Sequence, residues 1–342
     1  MKHVVISRPG GYDRLTIQES PDLHPAKRQV VVNVEYAGMS YGECIVRMGL
    51  YKSAKLHGYP ITPGFEFAGT VSEIGSEVSG FTVGQHVFGV SWFGAYATQV
   101  CVPAHQLFAI PKELSTVQAA TFPAAFLTAW YGAMKLGQAT AGMTALVHSA
   151  AGGVGSALAQ ILNTYGCTVI GVVGSSKKVT SAKNMGCREV IDKSTEPLWQ
   201  TAKKYAPKGY DLVFDSTGVE TMKEGYRHLA PTGKLITYGF ASMLPKSGRL
   251  NWFMLAIDYL RSPRFNPIRM AEENKSVMAF NLSFLFDRQD LLAEGMATLM
   301  ELLHHGSIKP LPVTEYAFTD VAKALRDIES GKTVGKLALI VR

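Results

Sequence analysis

Cysteine is scarce and scattered. Cys44, Cys101, Cys167 and Cys187 are the four in 342 residues, and no two stand at a paired spacing. That excludes a disulfide scaffold and reads as reduced thiols, so a cytoplasmic protein is expected. No apolar run approaches the ~20 residues that cross a bilayer, and no signal-peptide pattern precedes the expected first strand at residues 3–7. Acid is in the minority, with 27 Asp and Glu against 34 Lys and Arg, a formal net charge of +7. The excess suits anionic ligands, such as a cofactor phosphate, and equally an acidic membrane surface. Basic residues are dispersed and no nucleic-acid-binding motif occurs, so nucleic acid is not an expected partner.

What is present centres on Leu146-Val-His-Ser-Ala-Ala-Gly-Gly-Val-Gly155. A short apolar strand runs into Gly152, Gly153 and Gly155. A helix follows with Leu158, Ile161, Leu162 and Tyr165 on one face, Gly166 ends it, and a second apolar strand occupies residues 168–173. Strand, glycine turn, helix, strand is the unit that lays a dinucleotide pyrophosphate on the amides of a helix N-terminus. A tight turn in any α/β domain uses the same small residues, and the flanks favour the cofactor reading. At the end of the second strand an acid would accept the 2′-hydroxyl of NAD and repel a 2′-phosphate. Here the chain reads Val173-Gly-Ser-Ser-Lys-Lys178 with no acid. Gly174 leaves room, Ser175 donates and a lysine brings charge, so NADPH is the expected cofactor. A solvated helix start would explain Lys177 and Lys178 as well.

The first ~120 residues carry short β-branched strands and glycine turns, at residues 29–36, 65–74, 86–90 and 95–102, the pattern of a compact, barrel-like β domain. Strands at residues 189–192, 211–215 and 234–239 then alternate with helices, the rhythm of a doubly wound sheet. Residues 244–274 are less regular and mix Trp252, Phe253, Met254, Leu255, Ile257, Tyr259 and Leu260 with Lys246, Arg249, Arg261, Arg264 and Arg269. They read as a packed helix and loop in a cleft wall; lying on anionic lipid is the alternative. A helix-like run at residues 291–304 and a strand at 336–341 close the chain.

Gly10-Gly-Tyr-Asp13, Gly49-Leu-Tyr51, Thr62-Pro-Gly-Phe-Glu-Phe-Ala-Gly69, the glycine turn, Pro207-Lys-Gly-Tyr-Asp211, Gly233-Lys-Leu-Ile-Thr-Tyr-Gly239 and Val334-Gly-Lys336 occur in order over almost the whole chain. In these the sequence resembles the zinc-free quinone oxidoreductases of the medium-chain dehydrogenase/reductase superfamily, and among them the vesicle amine transport protein family. The resemblance implies an α/β protein: a GroES-like β domain formed by residues 1–121 and 285–342, enclosing a Rossmann-like, doubly wound parallel sheet at 122–284. It implies a homodimer joined near residues 276–286. It places Thr128 by the nicotinamide, and Gly152, Gly153 and Val154 by the pyrophosphate. Ser175 and Lys178 would meet the 2′-phosphate, with Lys193 where relatives often carry a tyrosine. Ser216 would lie near the adenosine ribose, and Gly239, Phe240, Phe280 and Leu282 nearer the nicotinamide. Ser40 departs from the family, standing where many relatives have an asparagine.

Zinc-dependent relatives need an early cysteine, a His-Glu pair and a later ligand, often with a lobe of four cysteines. The matching places hold Ser40 and Phe65-Glu66. Phenylalanine cannot bind zinc and a serine hydroxyl is a poor ligand, so no metal is expected. Glu66 and Glu43 then read as buried structural acids, paired with Arg47; His57, His86, His105 and His148 read as isolated packing or surface residues. Reducing a quinone or an α,β-unsaturated carbonyl needs no Lewis acid, because charge spreads onto an oxygen that one hydrogen bond can steady. Tyr51 and Ser40 are the candidate donors, Tyr51 having cleft-wall packing as its equal alternative. The expected function is an NADPH-dependent quinone or enone reductase. The alternative is an NADPH-binding protein that contacts a membrane or partner and turns over little.

Overall fold

The computed structural model describes residues 1–243 and 251–342. The strands in chain order are β1 (Lys2–Ile6), β2 (Leu15–Glu19), β3 (Gln29–Met39), β4 (Glu66–Ile74), β5 (His86–Val90), β6 (Gln99–Pro103), β7 (Leu107–Ala109), β8 (Thr144–His148), β9 (Thr168–Val173), β10 (Glu189–Asp192), β11 (Tyr210–Asp215), β12 (Leu229–Thr237), β13 (Ser276–Ala279), β14 (Val313–Ala317) and β15 (Lys336–Ile340). Leu244, Lys246 and Arg249, named above, lie outside the described residues.

Two sheets carry the architecture. One is six-stranded, ordered β10-β9-β8-β11-β12-β13, and every pairing in it is parallel. Its central strands are near-continuous apolar runs, as strands covered on both faces must be: Ala145, Leu146 and Val147, then Leu212, Val213 and Phe214, are all fully buried. The other runs β14-β15-β3-β4-β5-β7, with β6 also on β3. The eleven residues of β3 hold this second sheet together. Gln29 to Asn33 pair with β6 and Tyr36 to Met39 with β15, while β4 runs along the opposite edge. The C-terminal strand therefore completes a sheet begun by the N-terminal segment, giving the GroES-like and Rossmann-like pair expected.

A packed seam joins the two. The helix Thr116–Thr121 starts from a Ser115–Gln118 capping box, which satisfies two amides left open at a helix start, and it lies on β3 and β4. The next helix, Pro123–Trp130, packs on Gly153–Thr164 behind the glycine turn. Phe122 and Phe126 stack at 4.2 Å, and Phe122 meets Phe88 of β5 edge-on at 6.5 Å. Fully burying each such ring contributes about 1.5–3 kcal/mol, so the seam holds the two units at a set spacing. The helix Gln289–His304 joins the same core by setting Gly295 under Trp130.

The helix Trp252–Arg261 corrects one expectation. It has no buried residue, and Trp252, Phe253, Tyr259 and Leu260 are each about 70 % exposed, at 68, 74, 72 and 72 %. Leu255 and Ile257 are half-buried and its other apolar side chains stand exposed, so it is not the packed cleft wall expected. Spacing alone reports that a helix forms; it does not say what covers it.

Candidate active site

The glycine turn lies at the carboxyl end of β8. From β8 the chain moves out to β9 and β10, then crosses to β11 on the other side, so β8 and β11 flank the switch point where ligands of open α/β sheets bind. Ser149 takes a left-handed φ of 56°, and its hydroxyl meets that of Ser216, from the loop after β11, at 3.1 Å. Gly155 has to be glycine: a Cβ there would lie 2.3 Å from the Ser149 carbonyl oxygen. Gly152 caps the helix Gly153–Thr164, whose first-turn amides, with that of Val154 among them, have no acceptor within the helix. The turn thus fits a pyrophosphate. Gly153 differs from expectation in what uses its space, because a Cβ there would lie 2.7 Å from Cδ of Lys336.

At the end of β9 Gly174 is open, with Cε of Lys193 3.9 Å from where its Cβ would be. Ser175 caps the short turn Ser176–Lys178, and Lys178 Nζ donates to the Gly331 carbonyl at 2.6 Å while burial pulls its pKa down. The structure thus gathers Gly174, Ser175, Lys178 and Lys193. It also brings in an acid that the local sequence did not reveal. Asp192, at the end of β10, accepts from the Ser176 hydroxyl at 2.5 Å and from the Ser194 amide and hydroxyl at 2.9 and 2.6 Å. These bonds, Ser176 foremost, hold its carboxyl below the usual range. Three of its acceptor sites are thus taken up by serines.

The other end of the cleft is built around Lys336, at the start of β15. Gly335 donates to the Ala151 carbonyl of the glycine turn at 2.9 Å, which delivers Lys336 beside Gly153. Its buried ammonium donates to the Met39 carbonyl at 2.6 Å and to Ser40 Oγ at 2.9 Å, and pairs with Glu66 at 2.7 Å. The second Glu66 oxygen accepts the Ala124 amide at 2.8 Å, at the start of the helix that carries Thr128. Thr128 in turn donates to the Ala124 carbonyl at 2.6 Å. Glu43 closes the group from behind: it accepts the Ser40 amide at 2.9 Å, and burial raises its pKa to about 8. Two pairings expected from sequence are thereby corrected. Glu66 pairs with Lys336, whereas Arg47 pairs with Glu329 at 2.7 Å, both of them buried. Charge type was legible in the chain, but the partners come from its last fifteen residues and only the sheet brings them in.

An aromatic wall stands beside Ser40. Phe65 lies 3.0 Å from the Cβ position of Gly42, and its ring is 5.7 Å from Tyr51 and 5.5 Å from Phe93. Trp92 reaches across to Phe284 at 5.6 Å. Tyr51 donates to Asn281 Oδ1 at 2.8 Å and lies 3.4 Å from Ser283 Oγ, and burial raises its pKa. Its hydroxyl therefore already serves a contact between the two units. Gly239 packs under the Ser216 backbone, and Phe240 is 43 % exposed at the rim. Phe280 turns away onto Tyr131, with ring centres 5.0 Å apart, and Leu282 packs near Leu127 and Trp130. Lys336, Asn281, Phe93 and Asp192 went unassigned in the sequence reading. Lys336 lies in the quoted Val334–Lys336 run, but nothing local distinguishes it from a surface lysine. Among the described residues no group of three or more His, Cys, Asp or Glu is placed to hold a metal.

Two parallel-sheet and GroES-like units with a glycine turn at their junction define a medium-chain dehydrogenase/reductase. The family model for the alcohol dehydrogenase GroES-like domain matches residues 26–112, and that for zinc-binding dehydrogenases matches residues 185–339. The chain is 32 % identical over 343 aligned residues to the human synaptic vesicle membrane protein VAT-1 homolog, covering 99 % of this chain and 86 % of that one. The chain belongs to this quinone oxidoreductase-like VAT-1 homolog family. The structure of Escherichia coli quinone oxidoreductase complexed with NADPH superposes with a TM-score of 0.86 at 26 % identity, covering 99 % of this chain and 100 % of that one. That of the CurK enoyl reductase gives 0.85 at 25 % identity, over 99 % and 98 %.

Proposed function

We propose that the chain is a zinc-independent, NADPH-dependent oxidoreductase that reduces quinones or α,β-unsaturated carbonyls by direct hydride transfer; as a member of this family it is NAD(P)H-oxidoreductase-like in fold. The observation that carries the reading is the Ser40 hydroxyl, held by a buried cation, between the glycine turn and an aromatic wall, with Phe65 where a zinc ligand would have to stand. NADPH, when bound, supplies the hydride. Gly152, Gly153 and Val154 would hold its pyrophosphate, Ser175, Lys178 and Lys193 its 2′-phosphate, Ser216 its ribose, and Thr128 would face the nicotinamide side. Phe65, Phe93 and Tyr51 offer flat apolar faces to a conjugated acceptor and keep water from it, which strengthens any hydrogen bond made inside. Ser40 steadies the oxygen that gains charge and solvent completes the protonation. The relatives named for quinone and enoyl reduction support both acceptor classes. Consumption of NADPH with phenanthrenequinone or an enal is expected; no turnover across a panel of quinones and enals would overturn the reading.

A second reading keeps the cofactor site but makes membrane or partner contact the function. The bare Trp252–Arg261 helix favours it, with Arg261 and Arg264 beside exposed Trp252, Phe253 and Leu260. Among the described residues no helix is long and apolar enough to cross a membrane, so such contact would be peripheral. Co-sedimentation with acidic liposomes that falls with salt supports it. We also propose a homodimer through β13, the edge strand of the parallel sheet, to be read from the mass in solution.

A further inference from the structure

Resting on the reductase reading, we infer that Lys336 is a positioning residue that turns Ser40 into a one-way, charge-assisted hydrogen-bond donor toward the acceptor oxygen. An ammonium has three N–H groups and no acceptor, and three partners surround this one: the Met39 carbonyl at 2.6 Å, Ser40 Oγ at 2.9 Å and Glu66 at 2.7 Å. Its stem runs along Gly153 of the glycine turn. A hydroxyl has two acceptor sites and one proton. One site of Ser40 receives Lys336, and the other faces the Glu43 backbone N–H in a capping box. What remains is the proton, for which no acceptor is found among the described residues.

The surroundings fix this polarity. Met39 ends β3 and Ser40 follows it as the cap of the next helix, Lys336 begins β15, and β3 pairs with β15 up to Met39–Leu337, so the lysine is anchored at the sheet's last rung. Glu66, on β4, is fully buried and balances the charge, and Glu43 and Tyr96 pack behind. A cation donating to Ser40 Oγ draws electron density from its O–H bond and strengthens donation to a developing oxyanion, as charge-assisted bonds do. An asparagine at residue 40, as in many relatives, would offer two donors and an acceptor with no such bias.

The test uses 4-nitrophenol, whose phenolate imitates the oxyanion left by hydride transfer and whose ionisation is read from its colour, added to the full chain with saturating NADP+. The wild type should bind phenolate at least tenfold more tightly than phenol. That preference should fall to near unity in Ser40→Ala and in the charge-neutral double variant Lys336→Met/Glu66→Gln, and Ser40→Ala should add nothing in the double background. Ser40→Thr, which keeps the hydroxyl, should retain it. Should the double variant not fold, Lys336→Gln, which keeps N–H donors without the charge, must show the same loss. No preference in the wild type, a preference that survives loss of the lysine charge, or additive losses would each overturn the inference. NADPH turnover is scored separately. Turnover without phenolate preference sinks this inference alone, and preference without turnover sinks the reductase reading alone.

Discussion

Two buried ion pairs fasten the C-terminal segment to the first domain, and they are built from the same materials with different results. Arg47–Glu329 joins the helix Tyr41–Arg47 to the helix Val321–Glu329, both side chains buried beneath half-buried Gly10 and Tyr12. Tyr12 donates to Glu329 and lies 4.3 Å under the guanidinium, while Arg47 also donates to the Gly10 carbonyl. Lys336–Glu66 joins β15 to β4 in the same way, except that its third contact is Ser40, which is only partly buried and borders the aromatic wall. A hydroxyl that gives its proton to the pair, as Tyr12 does to Glu329, only closes it. One that receives from the pair's cation, as Ser40 does from Lys336, keeps its own proton to pass outward.

Arg47→Met strands Glu329 in the core and should cost ~3–5 kcal/mol in denaturant unfolding; a loss below ~1 kcal/mol would show that the pair is not buried as described. Lys336→Met should cost roughly 3 kcal/mol for the same reason, and Glu66→Gln added to it should recover much of that loss. No such second-site recovery is expected for turnover, because the polarising charge stays absent. Glu43 sharpens the contrast through pH. Its folded pKa, about 8, lies above its unfolded value of 4.5, so the folded state binds the extra proton between these limits. Its contribution is full below pH 4.5 and is lost as pH rises through 8, a change of roughly 5 kcal/mol. Glu43→Gln should flatten this part of the stability profile, and an unchanged slope would assign it elsewhere.

Smaller effects belong to the open ends of the cleft. Lys178→Ala should reduce the preference for NADPH over NADH about tenfold by calorimetry, the scale of one charge-assisted bond near solvent. Equal affinities for the two cofactors in the wild type would remove the basis for that assignment. Tyr51→Phe should lower turnover less than about tenfold, because Tyr51 already donates to Asn281. Unchanged turnover would leave it a packing residue.

How much of this was legible follows the range of each interaction. The β8 turn, the helix Gly153–Thr164 and β9 are specified by residues within one βαβ unit, and they formed where their periodicity placed them. The adenosine end was half legible: Gly174, Ser175 and Lys178 are contiguous with β9, whereas Asp192 and Lys193 arrive from the next strand. Phe65 and Ser40 could be recognised as non-ligands from their chemistry alone. Their partner Lys336 could not be, because 270 residues and a sheet pairing separate it from Glu66. The Trp252–Arg261 helix marks the opposite limit: its apolar pattern predicts packing, yet none of its residues is buried among the described residues.

The central claim is that a hydride passes from the phosphorylated nicotinamide to a conjugated acceptor beside Ser40. The most direct measurement is a single turnover with 4-deuterated NADPH and an α,β-unsaturated aldehyde, following the label into the product by mass spectrometry. The account predicts deuterium at the carbon β to the carbonyl and a slower transfer than with unlabelled cofactor. NADPH that stays unoxidised, or a product whose new carbon-bound hydrogen comes from water, would contradict it.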